Sequence, residues 1–309
     1  MKAIQYKDYG SSAVIELVEV SIPSIQSEND VLIQVKAVGV NPIDMKIRMG
    51  LMKEIRPVEM PFIPGGEASG IIVAVGGGVS KFKVGDEVIA LTWKNAYAEY
   101  ATANENFVLL KPEGLSFEEG ASMVVNIGTS QSVLFTEGQL EKGQKVLIQG
   151  GAGAVGGAMI QMAKAAGAYV IATASGKGVA LAKNLGADEV IDYKLQDISG
   201  IAKDIDLVAD TAGGEAQIKL FQVLKPGGKL LSIAMPPSQE LAEQYNVKAS
   251  FVVSDISAKT LQNGIDLIKA GKFKTIVSKT FKLEDAAIAQ DFLTAGGVNG
   301  KVVLLADQE

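Results

Sequence analysis

The chain has 309 residues, 48% of them hydrophobic and 21% charged, with 29 basic and 35 acidic side chains and a net charge of −6. This length suits two domains with full cores, and the acidic balance argues against nucleic acid or an anionic membrane surface as a partner. There is no cysteine and no histidine, which rules out disulfides, thiolate nucleophiles, Ser-His-Asp triads and the usual zinc-ligand sets, so no metal site is expected. Proton transfer is left to Lys, Tyr, Asp, Glu, Ser, Thr, water or a cofactor. Met1–Lys7 lacks the apolar run of a signal peptide, and the apolar window Val146–Ala174 is broken by glycines and Lys164. The expectation is a cytoplasmic protein without a membrane span.

Residues 1–120 read as short strands at Ala3–Tyr6, Val14–Val20, Asp30–Val40, Gly70–Val75, Glu87–Ala90 and Ala96–Thr102. They are punctuated by Pro23, Pro57, Pro61, Pro64 and Gly65-Gly66. Asn41-Pro42-Ile43-Asp44 predicts a turn into a short helix, with Asn as cap and Pro at the first helical position. From Phe117 the pattern changes. A helix is expected over Phe117–Ser132, followed by strands at Lys145–Gln149, Tyr169–Ala174, Glu189–Asp192, Asp206–Ala209, Lys229–Ala234 and Ser250–Val253. Helices are expected between them near Gly157–Ala166, Gly178–Leu185, Glu215–Leu224 and Glu240–Tyr245, with another at Ala258–Ala270. Such alternation predicts a doubly wound parallel sheet. A strand at Ser278–Lys282, a helix at Leu283–Ala295 and a strand at Lys301–Ala306 leave that pattern and are expected to rejoin the first domain.

The stretch Lys145–Gly156 carries the clearest chemistry. A short apolar strand runs through Gly150 into Gly151-Ala152-Gly153-Ala154-Val155-Gly156, with the spacing G-x-G-x-x-G. The first glycine of that spacing permits a tight turn. The second lets backbone approach a pyrophosphate, and the third lets helix pack on strand. The N–H groups opening the helix, at Ala154 and Val155, suit phosphate.

Several segments in order resemble the zinc-free quinone oxidoreductase and enone (alkenal) reductase branch of the medium-chain dehydrogenase/reductase superfamily. They are Asn41-Pro42-Ile43-Asp44-Met45-Lys46, Pro64-Gly65-Gly66-Glu67-Ala68-Ser69-Gly70, Val84-Gly85-Asp86-Glu87-Val88 and Tyr97-Ala98-Glu99-Tyr100. Thr129, Lys225-Pro226-Gly227-Gly228 and Gly300-Lys301-Val302-Val303 continue the series. The resemblance implies an α/β chain in which a Rossmann doubly wound parallel sheet, residues 121–271, is inserted in a GroES-like β-rich domain, residues 1–120 plus 272–309, with the active site in the cleft. It also implies that Asn41, Lys46, Thr129, Ile233-Ala234, Phe251-Val252-Val253 and Lys301 approach the nicotinamide.

In NAD-binding sheets of this kind an acid about 20 residues past the glycine motif bonds the ribose hydroxyl. Here the second strand ends in Thr173-Ala174-Ser175-Gly176-Lys177, without a carboxylate. Ser175 and Lys177 suit a 2′-phosphate, and Tyr193 resembles a tyrosine that the family uses near it. NADPH is therefore the expected cofactor. Hydride delivered to the β-carbon of a conjugated carbonyl puts charge on its oxygen, which needs a donor or cation. Lys46 is the candidate, with Asp44 orienting it or the turn backbone. Met45, Met49, Leu51, Met52, Met60 and Trp93 are candidate apolar walls, although most of the methionines also suit a core.

Three readings share these features. They are a reductase of enones, enals and quinones, a dedicated quinone or enoyl-thioester reductase, and a non-catalytic NADPH-binding protein. A thioester enzyme needs a basic path for its carrier's phosphates, of which Arg48, Lys53 and Arg56 are a thin version. The apolar strand near Ser250–Val253 suits pairing across a two-fold axis, so a homodimer is a candidate assembly.

Overall fold

The computed structural model describes residues 1–306, which divide into two compact units, Met1–Val125 with the segment from Thr275 onward, and Asn126–Lys274. The first unit opens with strands β1 (Lys2–Gln5), β2 (Glu16–Glu19) and β3 (Asp30–Val40), and helix α1 (Pro42–Arg48). Strands β4 (Glu67–Val75), β5 (Glu87–Leu91), β6 (Tyr100–Asn104) and β7 (Val108–Leu110) follow, then helices α2 (Phe117–Ala121) and α3 (Val124–Gln131). Helix α3 begins in the first unit and lies mainly in the second.

The second unit alternates β8 (Lys145–Gln149), α4 (Ala154–Ala165), β9 (Tyr169–Ala174), α5 (Lys177–Asn184), β10 (Glu189–Asp192), α6 (Ile198–Ile201) and β11 (Ile205–Asp210). It continues through α7 (Ala216–Phe221), β12 (Leu224–Ser232), α8 (Gln239–Gln244), β13 (Lys248–Phe251) and α9 (Ala258–Lys269). The chain then returns to the first unit as β14 (Val277–Lys282), α10 (Ala286–Thr294) and β15 (Lys301–Leu305).

The main sheet of the first unit has the order β14-β15-β3-β4-β5-β7, with β6 also paired to β3. Every pairing in it is antiparallel except β14 with β15. β3 changes character along its length. Val31, Ile33 and Val35 alternate with partly exposed neighbours, whereas Ala37–Val40 are all buried. The reason is coverage on both faces. Ala37 and Val303 pack with Ala121 of α2. Val38, Val40, Val302 and Leu304 pack with Ala286 and Ala289 of α10.

The second unit is a six-stranded sheet, all parallel, in the order β10-β9-β8-β11-β12-β13. The order reverses between β8 and β11, so this is the doubly wound fold with its switch point beside the glycine motif. Val146, Leu147 and Ile148 of β8 are fully buried, as a strand covered by helices on both faces requires.

Several expected elements differ; the strand expected over Val14–Val20 runs only over Glu16–Glu19 behind a 3-10 turn, and the one expected at Ser250–Val253 lies at Lys248–Phe251. The helix expected over Phe117–Ser132 breaks at Ser122, whose Oγ donates back to the Glu119 carbonyl at 2.7 Å. Beyond α3 the helix widens to a π-turn over Ser132–Glu137, and the amide of Gly138 donates to Val133 O at 3.0 Å. Lys229 Nζ then satisfies the carbonyls of Glu137 and Gly138, both at 3.0 Å. Leu224, expected at the end of a helix, instead opens β12 by pairing with Ile205 ahead of the turn at Gly227. The run Ala96–Thr102 becomes a strand only from Tyr100, because Ala98 folds its amide back onto the Ala96 carbonyl at 2.7 Å. No helix among the described residues is long and apolar enough to cross a membrane.

Helix α3 is held closely by α9. A methyl group on Gly264 would come within 2.4 Å of the Ile127 side chain. Gly264→Ala is expected to lower stability by about 1–3 kcal/mol through overpacking. Ile127→Ala is expected to destabilise by leaving a cavity, and the double variant less than the sum of the two, because the added methyl enters that cavity. Urea unfolding of the four proteins checks this.

Candidate active site

Two groups of candidate residues stand out, one in each unit. In the first, Asn41 caps α1 in an extended conformation and Pro42 occupies the first helical position. The Asp44 carboxylate reaches back to accept the Asn41 amide proton at 2.9 Å, and the Asn41 side chain faces the Asp44 backbone in return, a capping box. The Asn41 side chain also reaches two other segments. Its Oδ1 accepts Lys301 Nζ at 2.6 Å, and its Nδ2 donates to Glu67 Oε1 at 2.9 Å. Lys301 Nζ also lies 2.5 Å from Glu67 Oε1. The second Glu67 oxygen accepts the Val125 amide at 2.7 Å. All three side chains are essentially buried, with relative exposures of 3% for Asn41, 0% for Glu67 and 2% for Lys301.

Asp44 lies at the edge of this cluster, where its carboxylate accepts a bond from the Tyr97 hydroxyl at 3.1 Å. Burial raises its pKa to about 6, against the opposing effects of the Asn41 amide, the Tyr97 hydroxyl and the Lys301 charge. Burial, reinforced by the Asp44 charge, likewise pushes Tyr97 well above the usual phenol range. Lys46 sits one turn beyond the exposed Pro42 on α1 and is half-buried. Glu67 and Tyr97 were visible in the sequence only inside matched segments; nothing local to either residue marked it as part of the cluster.

In the second unit, β8 enters the turn at Gly150, whose φ is +77°. A Cβ on Gly156 would stand 2.2 Å from the Gly150 carbonyl oxygen, and one on Gly151 would meet Ala172 at 2.8 Å. Those two glycines are required by packing. Gly153 differs, since the nearest atom to a Cβ there would be the Gly150 oxygen at 3.3 Å. It is the cap residue of α4 and makes no side-chain cap. The amides of Ala154, Val155 and Gly156 therefore open the helix without a side-chain acceptor, as an anion site requires. At the end of β9, Ser175 Oγ donates to the Tyr193 hydroxyl at 3.0 Å. The exposed Lys177 follows as the first residue of α5.

Thr129, on α3, accepts a bond from Ser254 Oγ at 3.1 Å. Ser132 holds the next residue, Asp255, through both its N–H and its carbonyl. Val252 is buried and Val253 is exposed, just upstream of these contacts. Ile233 and Ala234 leave the end of β12 half-buried. The structure thus gathers Asn41, Asp44 and Lys301 into one cluster, pairs Ser175 with Tyr193, and ties Thr129 to the segment that follows Val252-Val253.

Of the basic path, Arg48 is only 3% exposed, with Nε on Gln290 and a terminal nitrogen on the Gly10 carbonyl. Arg56 stacks over Trp93 and donates to its carbonyl at 2.9 Å. Met52 and Met60 pack around the Tyr6–Ile47–Phe62 core and Met45 is buried, whereas Met49, Leu51 and Trp93 are exposed.

Residues 27–113 match the alcohol dehydrogenase GroES-like domain, and residues 185–304 match the zinc-binding dehydrogenase family. Rat quinone oxidoreductase is 33% identical, covering 99% of this chain and 98% of its own. An Arabidopsis thaliana chloroplastic NADPH-dependent alkenal/one oxidoreductase is also 33% identical, covering 98% of this chain and 79% of its own. The solved structure of Escherichia coli quinone oxidoreductase complexed with NADPH superposes with a TM-score of 0.90 at 25% identity, over 99% of this chain and 100% of that one. The chain belongs to the medium-chain dehydrogenase/reductase superfamily, in its quinone oxidoreductase branch. It is an oxidoreductase.

The raised Asp44 value has a definite sign. Folded Asp44 holds its proton to about pH 6, and an ordinary aspartate to 3.8. The stability contributed by the protonated form is fully present below about pH 4 and is lost as pH rises through 6, by on the order of 3 kcal/mol. Asp44→Asn is expected to gain on wild type as pH rises from about 4 to 6 and to hold a constant difference above about pH 6.5. Denaturant unfolding of both proteins from pH 4.5 to 8 checks this, and a pH-independent difference refutes it.

Proposed function

We propose that this protein is a zinc-independent reductase that uses NADPH to reduce conjugated carbonyl compounds, with enones, enals and quinones as substrates. The observation that carries the cofactor reading is the end of β9, where the Ser175–Tyr193 pair and Lys177 stand and no carboxylate is present to repel a 2′-phosphate. The glycine turn fits a pyrophosphate, because the cap position of α4 carries neither a side chain nor a cap bond. The NADPH complex of the Escherichia coli relative and the name of the Arabidopsis relative support the same cofactor.

When bound, NADPH supplies the hydride. The residues of the chain then have separate tasks. Gly150, Gly151, Gly153, Ala154, Val155 and Gly156 take the pyrophosphate, while Ser175, Lys177 and Tyr193 take the 2′-phosphate. Thr129, Ile233, Val252, Val253 and Lys301 serve the nicotinamide end. Lys46 stabilises the negative charge that builds on the carbonyl oxygen as the β-carbon is reduced. Asn41 and Asp44 hold the start of α1, and so place Lys46. Solvent or a hydroxyl returns the α-proton. Arg48 is committed to Gln290 and Gly10, which weakens the basic path that an enoyl-thioester enzyme needs. The chain also suits a homodimer, because β13 is the edge of the parallel sheet and exposes Phe251, with Val253 82% exposed just beyond it.

Lys46→Met is expected to lower kcat with an enone or enal by about tenfold or more, the scale of losing one charge-stabilising donor, while leaving the Kd for NADPH within about twofold. Unchanged turnover removes Lys46 from the chemistry. Lys177→Ala is expected to weaken NADPH binding and leave NADH binding unchanged; equal effects on both refute the 2′-phosphate role. Light scattering at working concentration is expected to give the mass of two chains, and the mass of one chain overturns the dimer.

A further inference from the structure

Asp210, the last residue of β11, is 1% exposed and lies beside the switch point of the sheet. Four donors converge on its carboxylate. Oδ1 accepts the amides of Ala212 at 3.0 Å and Gly213 at 2.8 Å. Oδ2 accepts Gln217 Nε2 and Ser232 Oγ, each at 2.8 Å. Ser232, the last residue of β12, carries the network onward, because its Oγ accepts the amides of Ala234 at 3.2 Å and Met235 at 3.3 Å. The Asp210 carbonyl takes the Ile233 amide at 3.0 Å.

The two loops also touch directly. Gly213 has φ +67°, and a Cβ on it would lie 3.1 Å from Ala234 and 3.2 Å from Met235. Next to Asp210, Thr211 Oγ1 donates to the Gln149 carbonyl at 2.6 Å, immediately before Gly150. A single buried carboxylate therefore fixes the loops that leave β11 and β12, and its neighbour ties them to the glycine turn.

In a doubly wound sheet the ligand lies across the carboxyl ends of the strands, one mononucleotide to each half of the sheet. β8, β9 and β10 form the half with the 2′-phosphate determinants. β11, β12 and β13 form the other half. Given NADPH as the cofactor, on which this rests, we propose that Asp210 is a positioning residue for the nicotinamide half. It does not touch the ligand; it sets the loops Ala212–Gly214 and Ile233–Met235 against which that half must seat. The charge matters as well as the shape. An amide at position 210 presents an NH₂ either to Gln217 Nε2 and Ser232 Oγ, or to the amides of Ala212 and Gly213. In the second orientation two backbone donors meet a donor; in the first, the Gln217 amide must flip away from the Met235 carbonyl and the Ser232 hydroxyl must turn its proton elsewhere while its oxygen already accepts the Ala234 and Met235 amides.

The test uses the full-length protein and compares NADPH with 2′,5′-ADP, which carries only the 2′-phosphate half. In Asp210→Asn, the Kd for NADPH is expected to rise about tenfold or more, as the loss of charge-assisted bonds implies, while the Kd for 2′,5′-ADP stays unchanged. Hydrogen exchange without ligand is expected to quicken at Ala212, Gly213, Ala234 and Met235 and to stay unchanged over Gly150–Gly156. Equal weakening of both ligands means a general structural role and overturns the proposal. Unchanged NADPH binding overturns it as well, with the cofactor reading intact. A wild-type protein that binds neither ligand overturns the cofactor reading itself.

Ser232→Ala keeps the test decisive if Asp210→Asn does not fold. It cuts only the arm to β12, so exchange is expected to quicken at Ala234 and Met235 and not at Ala212 and Gly213, with NADPH binding weakened and 2′,5′-ADP binding unchanged. Exchange and NADPH binding that both match wild type in Ser232→Ala refute the proposal.

Discussion

The first unit depends on one buried ion pair and the amide that joins it. Lys301 belongs to the last strand, Glu67 opens β4, and Asn41 closes β3, so three distant segments meet at one carboxylate oxygen. Removing an ammonium and a carboxylate from water costs several kcal/mol for each, and only close, fully hydrogen-bonded geometry offsets that cost. Glu67 meets the condition with Lys301, Asn41 and the Val125 amide. Lys301 meets it with Glu67 and Asn41. If the C-terminal segment did not return, Glu67 would be buried without its cation. The ion pair therefore explains why β15 must pair with β3, and why Gly39 has no side chain, since a Cβ there would stand 2.3 Å from Glu67.

The second unit buries a carboxylate by a different device. Asp210 has no cation on it and is held by four neutral donors, two from backbone and two from side chains. Hydrogen bonds to a charged acceptor are worth roughly twice neutral ones. The difference suits the two places. An ion pair locks strands that carry the fold, whereas converging amides shape loops at the open end of a sheet. Those loops bear no regular secondary structure of their own, so an anchor of this kind is what fixes their shape.

Much of the fold is legible locally. Tyr169–Ala174, Glu189–Asp192 and Asp30–Val40 coincide with observed strands because apolar, β-branched runs bounded by turn residues have few other uses. The glycine spacing is legible because two of its three glycines, Gly151 and Gly156, answer close contacts, such as Gly156 against Gly150. What escaped was set by distant partners. Lys301 and Asn41 are separated by 260 positions, and no periodicity relates them. Arg48 resembles a surface charge until Gln290 and Gly10 close over it. The widened turn after α3 was illegible for the same reason, because Lys229, far along the chain, satisfies the carbonyls that the π-turn leaves exposed. Asp210 and Ser232 belong to no motif with a fixed spacing, and only the sheet brings them together.

The charge inventory bears on which residue assists the substrate. In the proposed reaction, with no histidine or cysteine in the chain, activation of a carbonyl would fall to hydroxyls, backbone amides and fixed cations. In the first unit Lys301 is a poor source of positive potential, since Glu67 compensates it at 2.5 Å in a fully buried site. Arg48 is spent on an amide oxygen and a backbone carbonyl, and Arg56 on Trp93. Lys46 lies on the same short helix that Asn41 caps and that carries Asp44, at a half-buried position. Partial burial strengthens a charge's field without the full desolvation cost. The rigid cap at Asn41 and Asp44 fixes the backbone that carries it. On the proposed reading the buried network has a use beyond stability: it holds still the short helix that carries Lys46.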